Sequence, residues 1–399
     1  MAAPLDAPAA TTGVSRAVVV ALITVATFTD ILAYSIAVPV LPDISRRFGA
    51  SPTVIGLLFA SFGLTVLLTS VPMGAVSDRP GRRLPLVGGL VALAAASVLF
   101  AFAPGLSWLF AARLTQGAAD AITWVVGFAV VADLYNADER GRVIGLVMSG
   151  STAAFLVGPT IGGWLYQTGG PALPYLVVAG LAVITAVGLL LVPLPAHPEA
   201  PETTPVLTIA TQRPVVICAI AVIVGGGTIA MLEPVLALHF AAALGLGPAR
   251  IGLVFGVAAL VAAVLHPVFG RVADRVGGRT MTLSGLCAIG LALPVLSIIG
   301  GLVSAFVVYG AFVVTISMMV APSLAYMGEA VSHDGRQSFG VAYGLYNCAW
   351  AIGLLIGPSV GAAVYERVGF ATLVWAWAPF TVVVAGWLWR ASTPATVAP

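Results

Sequence analysis

Lysine is absent from this 399-residue chain: all 17 basic residues are arginine, and charged residues of both signs together make up only 8%. A soluble domain carries roughly a quarter charged residues, so this scarcity excludes one. Cysteine is also sparse. Cys218, Cys287 and Cys348 each fall in an apolar run, where a thiol packs as a small hydrophobe, and no disulfide framework is implied. Four scattered histidines offer no metal cluster and no convergent nucleophile, so no metal, no cofactor and no enzyme chemistry is expected. A net charge of +2 gives no reason to expect a nucleic-acid or acidic partner. No nucleotide-binding signature occurs, and the polar stretches are too short for an ATPase domain, so any transport must run on an ion or substrate gradient.

What is abundant is apolar: 60% of the residues are hydrophobic and the mean hydropathy is +1.08. Twelve runs approach the ~20 residues that a membrane-spanning helix needs. Segments 1 to 6 cover 17–41, 53–76, 84–103, 107–132, 142–166 and 173–193. Segments 7 to 12 cover 214–240, 250–270, 280–300, 303–329, 338–364 and 370–390. The fold expected is an all-α polytopic membrane protein in the lipid bilayer, with twelve transmembrane helices. Residues 194–213 are the only long Pro-rich polar stretch between runs and read as a cytoplasmic linker. They divide the chain into an N-terminal six-helix bundle, 1–193, and a C-terminal one, 214–399. With both termini inside, twelve loop arginines face the cytoplasm and four (Arg46, Arg47, Arg250 and Arg367) face outward, which satisfies the positive-inside rule. The run after Arg16 is too long for the core of a cleavable signal.

Two repeats argue that the halves are copies. Gly74, Asp78, Arg79, Gly81, Arg82 and Arg83 form a cationic turn that returns around Gly270, Asp274, Arg275, Gly277 and Arg279, with the aspartates 196 positions apart. Gly158-Pro159 in segment 5 returns as Gly357-Pro358 in segment 11, 199 positions later. Gly and Pro at such sites let helices approach closely and bend where they meet.

Ionisable groups inside spans are costly in hydrocarbon and are therefore functional candidates. Asp30 lies mid-way along segment 1, with Thr27 and Tyr34 on the same face. Segment 4 carries Arg113, Gln116, Asp120 and Trp124 as one stripe at helical spacing. Arg113 and Asp120 read either as a proton-coupling couple or as a permanent structural pair. Asp133, at the inner end of segment 4, suits the Asp78–Arg82 turn as a gating partner. Glu233 precedes Pro234 in segment 7, where the helix can bend towards a cavity. Glu329 near the end of segment 10 reads as a binding acid or as an interfacial one. Asn347 shares a face with Tyr343, Trp350 and Leu354, and His266 suits packing or a gate.

The turn resembles the G-x-x-x-D-R-x-G-R-R signature loop of the major facilitator superfamily. Arg113 to Gly117 resembles its R-x-x-Q-G motif, and Gly158 to Gly163 the antiporter motif G-P-x-x-G-G. Asp30 followed by Val38-Pro39 and Pro42, Asp138 to Gly141, and Ala230 to Pro234 resemble the vesicular monoamine and acetylcholine transporter group of the drug:proton antiporters. That resemblance covers nearly the whole chain. It implies two pseudo-symmetric six-helix bundles, a central cavity and alternating access. It also implies a proton-coupled antiporter exporting organic cations, amines or drugs, with Asp30, Tyr34, Glu233, Glu329, Asn347, Trp350 and Trp124 at the substrate and protons. Arg113, Gln116 and Asp120 would serve proton coupling; Gly74, Asp78, Arg79, Arg82, Asp133, Gly158, Pro159, Asp274 and Arg275 would serve gating. Two positions depart from the group: Phe62 stands where it has a lysine, and Asn347 where it has an aspartate. Asp30 and Glu233 are expected to face each other across the cavity. The rival reading is a facilitator or proton symporter for a neutral or anionic metabolite bound by Arg113. The expected setting is a monomer in the plasma (inner) membrane, both termini cytoplasmic, because no long glycosylatable loop follows segment 1.

Overall fold

The computed structural model describes residues 16–77, 81–135, 137–194, 209–331 and 339–392. The chain opens with α1 (Arg16–Ser35), which passes through a 3-10 turn into α2 (Leu41–Phe48). Then come α3 (Pro52–Ser77), α4 (Arg83–Ala101), α5 (Leu106–Leu134), α6 (Ala137–Gly169) and α7 (Leu173–Leu191). The second half holds α8 (Arg213–Leu244), α9 (Pro248–Val276), α10 (Gly278–Ala292), α11 (Gly310–Val331) and α12 (Phe339–Ser392). A 3-10 turn extends α10, and a π turn, Ala305–Tyr309, leads into α11. Proline near the start of α8 and α9 places its missing N–H among the groups that a first helical turn leaves unbonded anyway.

Eleven of these stretches are long and apolar enough to cross a bilayer. The last, Gly344–Ser392, has 49 residues. At 1.5 Å per residue it would run ~74 Å unbroken, more than twice a bilayer core. It is broken at Gly369, whose φ of 78° and ψ of 174° lie where only glycine is comfortable. It therefore crosses twice, and the crossings among the described residues number twelve. Leu68, Leu84, Ile184, Leu191, Trp375 and Val383 project outward and exposed, as a lipid-facing surface requires.

The first half packs α1 against α5, α6 and α7, and α4 against α5 and α7. The second packs α8 against α11 and α12, with α9 on α11 and α10 on α11 and α12. The halves meet where α3 lies on the first arm of α12 and α6 lies on α9. Here the repeated motif acts. Gly56 of α3 sits on the Pro358 carbonyl, and Gly252 of α9 sits on the Pro159 carbonyl. A Cβ at either glycine would collide with that backbone, so the contact needs glycine on one side and a kinked Gly-Pro helix on the other. Gly163 likewise meets Pro248, and the Thr53 amide donates to Glu366 at 2.8 Å.

All these contacts lie on the membrane face away from the chain termini. Towards the other face, Gly145, Gly270 and Gly344 have open space where a side chain would project. The two bundles are clasped at the face away from the termini. Most of the linker expected at 194–213 lies outside the described residues, as do Asp78 and Arg79; Gly74 falls within α3.

Candidate transport pathway

Glu233 lies mid-way along α8, immediately before Pro234, at the boundary between the bundles. The Tyr34 hydroxyl of α1 donates a hydrogen bond to its Oε2. Tyr34 is buried, while Glu233 keeps part of its surface accessible. The tyrosine is held by rings on three sides: Phe59 at 5.6 Å, Phe62 at 5.0 Å and Phe155 at 6.2 Å between centroids. Aromatic packing thus fixes the phenol so that its only polar atom reaches the opposite bundle.

One turn away on α1, Asp30 is 1% exposed and neither of its oxygens has a hydrogen-bond partner. The buried Asp120 carboxyl of α5 and the Trp124 side chain lie against it. Two carboxyls from neighbouring helices thus face each other inside one bundle.

Arg113 is fully buried, and no protein group hydrogen-bonds any of its three guanidinium nitrogens. Its charge lies over three rings, at 4.4 Å from Phe59, 5.4 Å from Phe100 and 5.6 Å from Tyr34. Cation–π attraction and the fields of Glu233 and the phenols hold it in place of an ion pair. Gln116 and the Tyr175 hydroxyl are likewise buried without partners.

Two expected pairings are corrected. Arg113 does not pair with Asp120. Seven residues apart, they share a face but lie two turns, ~10 Å, apart, and the arginine side chain leans towards the helix start, away from Asp120. Nor does Asp30 meet Glu233. The 199-residue offset that relates the two Gly-Pro motifs also relates Glu233 to Tyr34, so Asp30 sits one turn off. Glu329 is exposed at the terminal end of α11, away from both carboxylate sites.

Asn347 donates to Ser70 Oγ of the opposite bundle at 3.3 Å. Trp350 stacks on Tyr346 at 6.2 Å and rests on Gly226. Arg82 Nε lies 3.1 Å from Asp133 Oδ2. Gly158 receives Ser35 of α1 closely, and Asp274 and Arg275 are exposed near the end of α9. His266 is half-buried, its Nε2 without a partner. Sequence reasoning missed the ring cage of Phe59 and Phe100, which come from helices other than that of Arg113. A signal existed: no acid stands within four residues of Arg113, so its partner had to be something else.

The sequence pattern of the Major Facilitator Superfamily matches residues 23–339 and again 218–399. The chain belongs to that superfamily. Among curated relatives, the synaptic vesicular amine transporter of Homo sapiens is 29% identical over 326 residues, covering 80% of this chain and 63% of the relative. The chromaffin granule amine transporter of Homo sapiens is 28% identical, covering 84% and 63%. This chain therefore spans under two thirds of the length of those amine transporters. A probable vesicular acetylcholine transporter of Danio rerio is 30% identical over 379 residues, covering 90% of this chain and 76% of the relative. The crystal structure of a bacterial homologue of the human lysosomal transporter Spinster, inward-facing and unoccupied, superposes with a TM-score of 0.81 at 15% identity, over 96% of this chain and all of that one. As a superfamily member with twelve crossings among the described residues, the chain is a multi-pass membrane protein.

Proposed function

We propose that this superfamily member exchanges organic cations for protons by alternating access. The observation that carries the reading is that Asp30, Asp120 and Glu233 sit within the spans with no basic side chain in ion-pair reach among the described residues. Carboxylates without an ion-paired counter-ion, at the depth where ionisation is most costly, are satisfied by a cation or by protons, and by only one of them fully at a time. Protons arriving from one side displace the cation, and their loss on the other side lets the next one bind. The relatives named as amine transporters support the same substrate class.

Bundles 1–193 and 214–399 rock about the shared face. The arginine distribution supports cytoplasmic termini, which makes the face clasped by Gly56 and Gly252 the outer one and the state inward-open. The setting is the plasma membrane, and one chain suffices. The anionic-substrate alternative would need Arg113 as a ligand, yet its guanidinium is fully buried behind rings. Purified protein in liposomes with an imposed pH gradient tests the reading, using a panel of cationic, neutral and anionic compounds. Gradient-driven uptake confined to cations is expected; uptake of neutral or anionic compounds alone overturns it.

A further inference from the structure

We propose that Asp30 and Asp120 hold one proton between them, forming a proton site that lies wholly within the N-terminal bundle and is separate from Glu233. Its place in transport rests on the cation-exchange reading, but the site itself does not.

Asp30 is almost fully enclosed, and neither of its oxygens is hydrogen-bonded by any protein group. Its neighbour across the α1–α5 interface is Asp120, itself buried, with Trp124 against both. Among the described residues, the other helices packed on α1 bring no charge there. α6 meets α1 through Gly150 at Thr24, the Ala154 carbonyl at Ser35, and Gly158; α7 meets it through Gly188 at Leu22. The nearest guanidinium, Arg113, is two turns away and faces rings, and Glu233 is reached only through Tyr34, one turn along α1.

Two adjacent carboxylates in a dry site repel each other, and neither is neutralised by a cation. One of them therefore retains its proton and donates it to the other, as like-charged acids sharing a site do. The arrangement O–H···O⁻ gives the orphaned Asp30 oxygens a partner and leaves the site with one negative charge. A monovalent cation entering as that proton leaves would keep that charge unchanged: two carboxylates and one positive charge again sum to minus one. The swap then leaves the net charge of the site unchanged.

Infrared difference spectroscopy of the purified, lipid-reconstituted protein with carbon-13 aspartate tests this without any substrate. The expected result is an aspartic-acid carbonyl band at neutral pH that shifts in frequency in Asp30→Asn and in Asp120→Asn, since either change removes the carboxylate that accepts the shared proton. Glu233→Gln should keep the band. In wild-type protein the band should titrate in two separate steps, a readout that stands even if one variant fails to fold. A band left unmoved by either single variant, or a single titration step, places the proton on one acid alone and overturns the proposal. No aspartic-acid band in the wild type overturns it as well. Because no transported compound is involved, failure here is distinct from failure of the cation-exchange reading.

Discussion

Tyr34 and Glu233 occupy corresponding places in the two bundles, 199 residues apart, and the phenol of one donates to the carboxylate of the other. The same offset separates Gly158 from Gly357, so the bond lies where the pseudo-two-fold brings like positions together. Duplication of a carboxylate at that point would set two negative charges against each other. Duplication of a phenol would leave no charged acceptor. The asymmetry makes a closed contact between otherwise similar helices possible.

Tyr34→Phe keeps the ring among Phe59, Phe62 and Phe155 and removes only the hydroxyl. A hydrogen bond to a charged acceptor is worth roughly 1.5–3 kcal/mol, so the clasped state should lose about tenfold or more of its population. Spin labels on Arg46 and Arg367, exposed on the clasped face in opposite bundles, should report longer and broader separations than in the parent protein. An unchanged distance distribution would show that the bond does not hold the bundles together.

Gly252→Ala and Gly56→Ala each drive a methyl group into a backbone carbonyl of the opposite bundle, at Pro159 and Pro358 respectively. Backbone inside a packed helix cannot rotate aside as a side-chain end can. Both variants should insert normally yet lose transport, because the outer clasp cannot form. Gly270→Ala is the control: it has open space and should cost nothing or stabilise α9 by about 0.5–1 kcal/mol. Equal transport by all three variants would refute the clasp.

The twelve crossings, the duplicated halves and the Gly-Pro interlock were legible in the sequence because each is a local pattern repeated at a fixed offset. Mid-span acids were legible because hydrocarbon makes them conspicuous. The pairings were not. Asp30 with Asp120, Tyr34 with Glu233, and Arg113 with Phe59 and Phe100 depend on how helices rotate and on their relative height, which no spacing within one helix encodes. Stripe logic joined Arg113 to Asp120 because they share a face. It ignored the two turns between them and the direction in which a helical arginine leans.

Asp133→Asn removes the charge that faces Arg82 across 3.1 Å at the termini-side ends of α4 and α5. Neither group touches the carboxylates at the bundle boundary. Substrate affinity should hold while the turnover rate falls, measured as initial uptake against equilibrium binding. Loss of affinity with turnover intact would move Asp133 from a helix-end contact to the binding site.

Arg113→Met exchanges a buried guanidinium without hydrogen-bond partners for a flexible thioether of similar length. Three ring contacts at ~0.5–2 kcal/mol each must offset a desolvation cost of several kcal/mol. Methionine keeps a favourable sulfur–aromatic contact and bears no such cost. The unfolding temperature in detergent should therefore stay level or rise. Transport should fall, since the only mid-span positive charge among the described residues would be gone. A marked drop in thermal stability would mean that the cage depends on the charge after all.

Glu233→Gln complements Tyr34→Phe and separates binding from gating. Glutamine still offers a carbonyl oxygen to the Tyr34 hydroxyl, so the contact between bundles survives, weakened to a neutral hydrogen bond. What disappears is the charge. If Glu233 is a counter-ion for a cationic substrate, Glu233→Gln should lower cation affinity about tenfold or more, the worth of one charge-assisted contact, with the label distances on the clasped face close to those of the parent. Tyr34→Phe should show the reverse, opening the clasp while a carboxylate remains to attract the cation. Isothermal titration of both variants against one transported cation, alongside the label distances, reads the two effects independently. If Glu233→Gln binds the cation as tightly as the parent, Glu233 serves closure alone, and the search for the cation's partner narrows to Asp30 and Asp120.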